Sequence, residues 1–143
     1  MMLGDLIARE ECPLMDAIYM HDGAAYVIKL EYGSEPRIRV VCETSIDSYF
    51  KFNSLEMATS IEIFKEFVGD EYKVEVGEGG FGSDGIVILS SLAKGDIIWM
   101  LFLSNSNPFE NAIFNRDYLE VKSTNGTRLS ININSPEMIN VVL

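Results

Sequence analysis

Two nearly continuous apolar runs, Gly85–Leu89 and Ile97–Leu103, constrain this chain more than any other feature. Runs of this length without alternation read as strands covered on both faces. Ala93-Lys94-Gly95-Asp96 lies between them as turn chemistry. The pair is therefore expected at the centre of a sheet, with a helix packed over one side. Ile97–Leu103 is also the longest apolar stretch, far below the roughly 20 residues a membrane span needs.

The flanking sequence supplies hairpins. Ala24–Tyr32 alternates, with Tyr26, Ile28, Leu30 and Tyr32 on one face, and Arg37–Cys42 alternates through Ile38, Val40 and Cys42. Gly33-Ser34-Glu35-Pro36 joins them as a turn. Tyr72–Val76 alternates again before the glycine-rich loop GEGGFGSDG. Tyr118–Lys122 and Arg128–Asn134 flank Asn125-Gly126, a strong hairpin signal, which sets Leu119 and Val121 against Leu129, Ile131 and Ile133. Asn107-Pro108-Phe109-Glu110 reads as the start of a short helix with Pro at its first position.

One main helix is expected over residues 54–68. Asn53 with Glu56 resembles a capping box, and Gly69 supplies a stop. Met57, Ile61, Phe64 and Val68 recur at helical spacing and, with Phe67, form a core-facing stripe. Hairpins with one helix give an α+β fold, a largely antiparallel sheet in a single domain spanning residues 1–143.

Charge bounds the function. The 143 residues hold 22 acidic and 11 basic side chains, and residues 1–71 alone carry 14 of the acids against 6 of the bases. Such a field repels nucleic acid and anionic membranes and attracts basic proteins. Lys29, Arg37 and Arg39 sit among Glu31, Glu35 and Glu43, so no basic stripe forms. The N-terminal MMLGDLIARE, interrupted by Asp5 and Arg9, does not read as a signal peptide, so a cytoplasmic location is expected.

Catalytic chemistry finds little support. Cys12 and Cys42 are expected as free thiols, and with His21 they match no zinc spacing. His21 beside Asp22 lacks an activated nucleophile. Gly79–Val87 matches one copy of a calcium-binding nonapeptide that needs stacked repeats. Gly80–Gly85 has the spacing GxGxxG, but a strand-like segment follows where a dinucleotide site needs a helix. No cofactor and no metal are expected.

The loop instead reads as a hairpin connection that exposes Phe81 between Glu78 and Asp84. With Glu56, Glu62, Glu66, Asp70 and Glu71 on and after the expected helix, these residues form the candidate surface for a basic protein partner.

In size, acidity and hairpin-rich α+β pattern the chain resembles the immunity proteins of bacterial polymorphic toxin systems, including contact-dependent growth inhibition. The resemblance lies in overall character rather than in a motif. It implies a non-catalytic protein that neutralises a toxin domain, often a basic nuclease, by covering its active site or substrate groove. Two other readings stand beside it. One is a small acidic enzyme or ligand-binding domain with a pocket under the sheet near Tyr26, Tyr32, Phe102 or Trp99. The other is a DNA mimic with carboxylates in two rows.

Overall fold

The computed structural model describes residues 1–54 and 57–143. Its elements run α1 (Leu3–Ala8), β1 (Glu11–Pro13), β2 (Ala17–Met20), β3 (Ala24–Glu31), β4 (Arg37–Ser45) and α2 (Ile46–Phe52). There follow β5 (Ala58–Ser60), β6 (Glu62–Val68), β7 (Tyr72–Glu78), β8 (Gly85–Ser91) and β9 (Ile97–Leu103). The chain closes with β10 (Phe109–Asn115), β11 (Tyr118–Ser123), β12 (Arg128–Asn132) and β13 (Asn140–Val141).

Seven strands form one antiparallel sheet in the order β4-β3-β2-β9-β8-β7-β6. Strands β10 to β13 form a second sheet, and β1 pairs with β5 in a third. The fold is α+β, strand-rich and built from hairpins. The two apolar runs occupy the middle of the large sheet, as their composition demands.

Because side chains alternate along a strand, β8 and β9 serve two cores at once. Val87, Leu89, Trp99, Leu101 and Leu103 meet the second sheet through Leu119, Val121, Leu129, Ile131 and Ile133. Ile86, Ile88, Met100 and Phe102 meet Leu3 and Leu6 of α1 and Ile46 of α2 on the other side. Each fully buried side chain of this kind contributes about 1.5–3 kcal/mol, so β8 and β9 anchor both layers. The Trp99 indole Nε1 donates to the Ile133 carbonyl at 3.0 Å, tying the two sheets by a buried hydrogen bond.

Among the described residues, the helix expected over 54–68 is not formed. Residues 58–60 and 62–68 are strands, and the helix lies just upstream at 46–52. Its N-cap is Ser45, whose hydroxyl accepts the Ser48 N–H at 3.0 Å. Asn53 closes this helix instead of opening another, since its Nδ2 donates to the Tyr49 carbonyl at 2.8 Å. Downstream, Ile61, Ile63, Phe64, Phe67 and Val68 are β-branched or aromatic, and pairing with β7 overrides their helical spacing. Gly69 turns the β6–β7 hairpin, donating to the Tyr72 carbonyl at 2.8 Å.

The short helix expected at Asn107-Pro108 is also absent. Asn107 adopts a left-handed backbone at φ 64, and Phe109 begins β10. Among the described residues, no helix is long and apolar enough to cross a membrane.

Candidate functional site

The acidic residues gather along the β6–β7 hairpin, at one open edge of the large sheet. Glu62 pairs directly across from Glu78, and Glu66 across from Glu75. Asp70 and Glu71 occupy the turn that joins the strands. Two like-charge cross-strand pairs in one hairpin are each unfavourable by about 0.2–1 kcal/mol. Lys73 gives partial relief, its Nζ lying 3.8 Å from the Glu75 carboxylate. Partial desolvation, then the carboxylates of Glu62 and Asp84, push the Glu78 carboxyl above its usual range.

These acids do not share one face. Glu75 and Glu78 are three residues apart, so the two-residue period sends them to opposite faces. The register shift between Ile63 and Lys65 inserts Phe64 as a bulge and does the same for Glu62 and Glu66. The acids therefore rim the edge from both sides over roughly 26 Å, at about 3.3 Å per residue from Glu62 to Asp70. Between them stand exposed apolar side chains, Ile63, Phe64 and Val68, with Phe64 52% exposed. The other edge strand, β4, is bulged at Val41 in the same way. Bulged edges resist strand addition.

The remaining expected residues divide. Glu56 lies outside the described residues. Phe81 is 66% exposed at the loop tip, as its glycine neighbours suggest. Asp84 is not a surface acid: it is 1% exposed. Its carboxylate accepts the Gly79 N–H at 2.9 Å and the Phe81 N–H at 3.4 Å, closing the glycine loop on itself. The loop is anchored to β5, where the Gly80 N–H donates to Thr59 Oγ1 at 2.8 Å. Its end therefore sits beside the acidic edge, bringing Glu78 next to Glu62.

Glu75 was not among the expected residues. Its place on the alternating strand Tyr72–Val76 holds the signal, but the spacing around its partner Glu66 reads as helical.

Of the residues considered for a pocket, Trp99 is core and Tyr32 is occupied, its hydroxyl donating to the Asn105 carbonyl at 3.0 Å. Tyr32 also lines a depression of about 280 Å³ with Glu31, Gly33, Ser34, Glu35 and Arg37, and Phe102 borders a second cavity. A pocket of about 250 Å³ lies beside the glycine loop, lined by Leu14, Asp16, Phe81, Ser83, Asp84, Phe102 and Ser104. Asp16 accepts the Ser104 N–H at 2.9 Å and the Ser104 hydroxyl at 3.0 Å. Burial nonetheless raises the Asp16 carboxyl above its ordinary value. Cys12, buried nearby, has its thiol pushed up by burial and then by Asp84 and Asp16. Cys42 is exposed, and both cysteines are free.

A shallower depression of about 540 Å³ lies at the far end of the hairpin, lined by Asp70, Glu71, Tyr72, Ser91, Leu92 and Ala93. Four of those residues, Asp70, Glu71, Leu92 and Ala93, are exposed, so it is surface relief and not an enclosed site. His21 is exposed with Nδ1 2.8 Å from the Ile97 carbonyl, and it lines an open depression of about 340 Å³ with Tyr72, Ser91, Lys94, Asp96, Ile97 and Ile98. Comparison of the chain with protein-family models, with curated proteins and with solved structures finds no match.

Proposed function

We propose that this chain is a non-catalytic acidic binding protein that neutralises a basic protein partner, a toxin domain of the kind immunity proteins block. It acts in the cytoplasm by covering the partner's active site or substrate groove. The observation that carries this reading is the acidic edge hairpin. Glu62 faces Glu78 and Glu66 faces Glu75, an arrangement unfavourable in the free protein and relieved by a partner's cations.

The exposed Phe64 stands among these carboxylates as an aromatic anchor with a charged rim, the layout of a protein-binding hot spot. Complementary fields of this kind accelerate encounter by orders of magnitude, which suits an inhibitor that must outpace a toxin. A DNA mimic gains less support, because the acids rim one sheet edge with Lys65 and Lys73 interspersed.

The test is capture of a stoichiometric basic protein from the source cell, followed by charge reversal in the complex. The double variant Glu62→Lys/Glu66→Lys is expected to weaken binding at least about tenfold at low salt and to flatten its salt dependence. Unchanged affinity with unchanged salt dependence would remove the edge from the interface.

A further inference from the structure

The end of the large sheet away from the acidic edge carries the opposite charge. Lys29 on β3 stands directly across from Arg39 on β4, and Glu31 across from Arg37. Ile28 and Leu30 belong to the core between the sheets, so the two-residue period sends Lys29 and Glu31 to the other face. Arg37 and Arg39 share that face through their pairing. Lys29, Arg37 and Arg39 are all exposed.

In the sequence these cations sit among Glu31, Glu35 and Glu43, but the strands sort them apart. Glu43 pairs with Tyr26, which packs against the inter-sheet core, so Glu43 projects to the opposite face. Glu35 lies in the turn between β3 and β4. Three cations therefore share the face with one carboxylate. Arg39 Nε donates to Glu31 at 3.1 Å, and that bond, with Lys29 and Arg37 nearby, holds the Glu31 carboxyl below its ordinary value. Among the described residues, Lys29 and Arg37 have no carboxylate within 4.0 Å.

This face is the inverse of the β6–β7 hairpin, where Glu62 faces Glu78 and Glu66 faces Glu75. Like charges directly opposite are destabilising, and each set is relieved by the sign the other carries. The edge strands β4 and β6 lie at opposite ends of one sheet, six spacings or roughly 29 Å apart, so one copy cannot join them. A second copy can. The net charge of -11 opposes approach at long range, but at about 0.15 M salt it is screened beyond roughly 8 Å, which leaves contact pairs in place.

We infer that the basic β3–β4 face, formed by Lys29, Arg37 and Arg39, docks the acidic β6–β7 edge of a second copy of this chain. The contact is made by side chains, since both edge strands are bulged. It joins different surfaces on the two copies, so the assembly extends head to tail instead of stopping at a symmetric dimer. It also occupies the edge assigned to the basic partner, so partner binding and self-association exclude each other.

The test uses the purified chain and two variants. Lys29→Glu removes the positive excess and sets an acid against Arg39, which keeps β3 and β4 paired. Glu62→Gln/Glu66→Gln weakens the acidic edge without making it basic. Sedimentation of the wild type at about 0.15 M salt is expected to show an average mass that rises above 16.0 kDa with concentration. The dissociation constant is expected on the order of 0.1–1 mM, and the rise is lost in about 1 M salt. Each variant alone is expected to associate at least about fivefold more weakly. Mixed, they are expected to bind through the surface each retains. Amide shifts then fall on residues 62–78 of Lys29→Glu and on residues 29–39 of Glu62→Gln/Glu66→Gln.

A wild type that stays at 16.0 kDa up to about 1 mM overturns the inference. Association unaltered in either variant does the same, as do shifts on the same residues of both copies. Saturable shifts at Lys29, Arg37 and Arg39 with inorganic phosphate, in a protein that stays monomeric, also overturn it, in favour of a small anion. None of these outcomes decides the proposed partner contact, which Glu62→Lys/Glu66→Lys tests in the partner complex.

Discussion

Glu62 on β6 stands directly opposite Glu78 on β7, two carboxylates paired across the last rung of an open sheet edge. Like charges so placed oppose the pairing that holds β6 to the sheet. Glu62→Lys converts the repulsive pair to an attractive one. The isolated protein is expected to gain about 0.5 kcal/mol, read as a higher urea midpoint at unchanged slope. A loss of stability would show that Glu62 has a favourable role in the free protein.

Much of this architecture is legible in the sequence. Unbroken apolar runs placed β8 and β9 at the centre, and Asn125-Gly126 placed the β11–β12 turn, where Gly126 takes φ 88. What failed was residues 54–68, where two periods compete. Met57, Ile61, Phe64 and Val68 satisfy a helix, while the β-branched and aromatic composition satisfies a strand. The decision comes from β7, a partner that local spacing does not show. The site followed the same fate. A helix would have set the acids on one face, and a bulged strand instead divides them between two, so they line an edge. Asp84 looked like a surface acid, because nothing in GEGGFGSDG reveals that its carboxylate serves the loop's own amides.

Gly77 lets the edge strand approach closely. A Cβ there would overlap the Glu62 carbonyl and crowd Ile63 Cα. Gly77→Ala is expected to displace β6, costing about 1–3 kcal/mol and removing hydrogen-exchange protection from its paired amides. Unaltered protection along 62–68 would contradict this packing.

Trp99 joins the two sheets through its indole. Trp99→Phe leaves the Ile133 carbonyl without its donor and opens space in the core. The expected loss is about 2–3 kcal/mol in denaturant unfolding. A loss below about 0.5 kcal/mol would mean that the bond adds nothing to sheet packing.

Burial raises the Asp16 carboxyl against the lowering effect of its hydrogen bonds from Ser104. The folded chain therefore holds this proton more tightly than the unfolded chain does. The resulting stabilisation is full below the ordinary carboxylate pKa and is lost as pH rises through the raised folded value. Asp16→Asn is expected to remove that part of the pH dependence in urea midpoints measured from about pH 3 to about pH 7. Identical slopes in the two proteins would contradict the direction of the shift.

The most direct test of the central claim is the affinity of the captured basic partner for the wild-type chain and for Glu62→Lys/Glu66→Lys, measured across ionic strength. The acidic edge predicts tight wild-type binding that falls steeply with salt, and at least about a tenfold weaker, flatter response in the variant. Superimposable curves for the two proteins would contradict it.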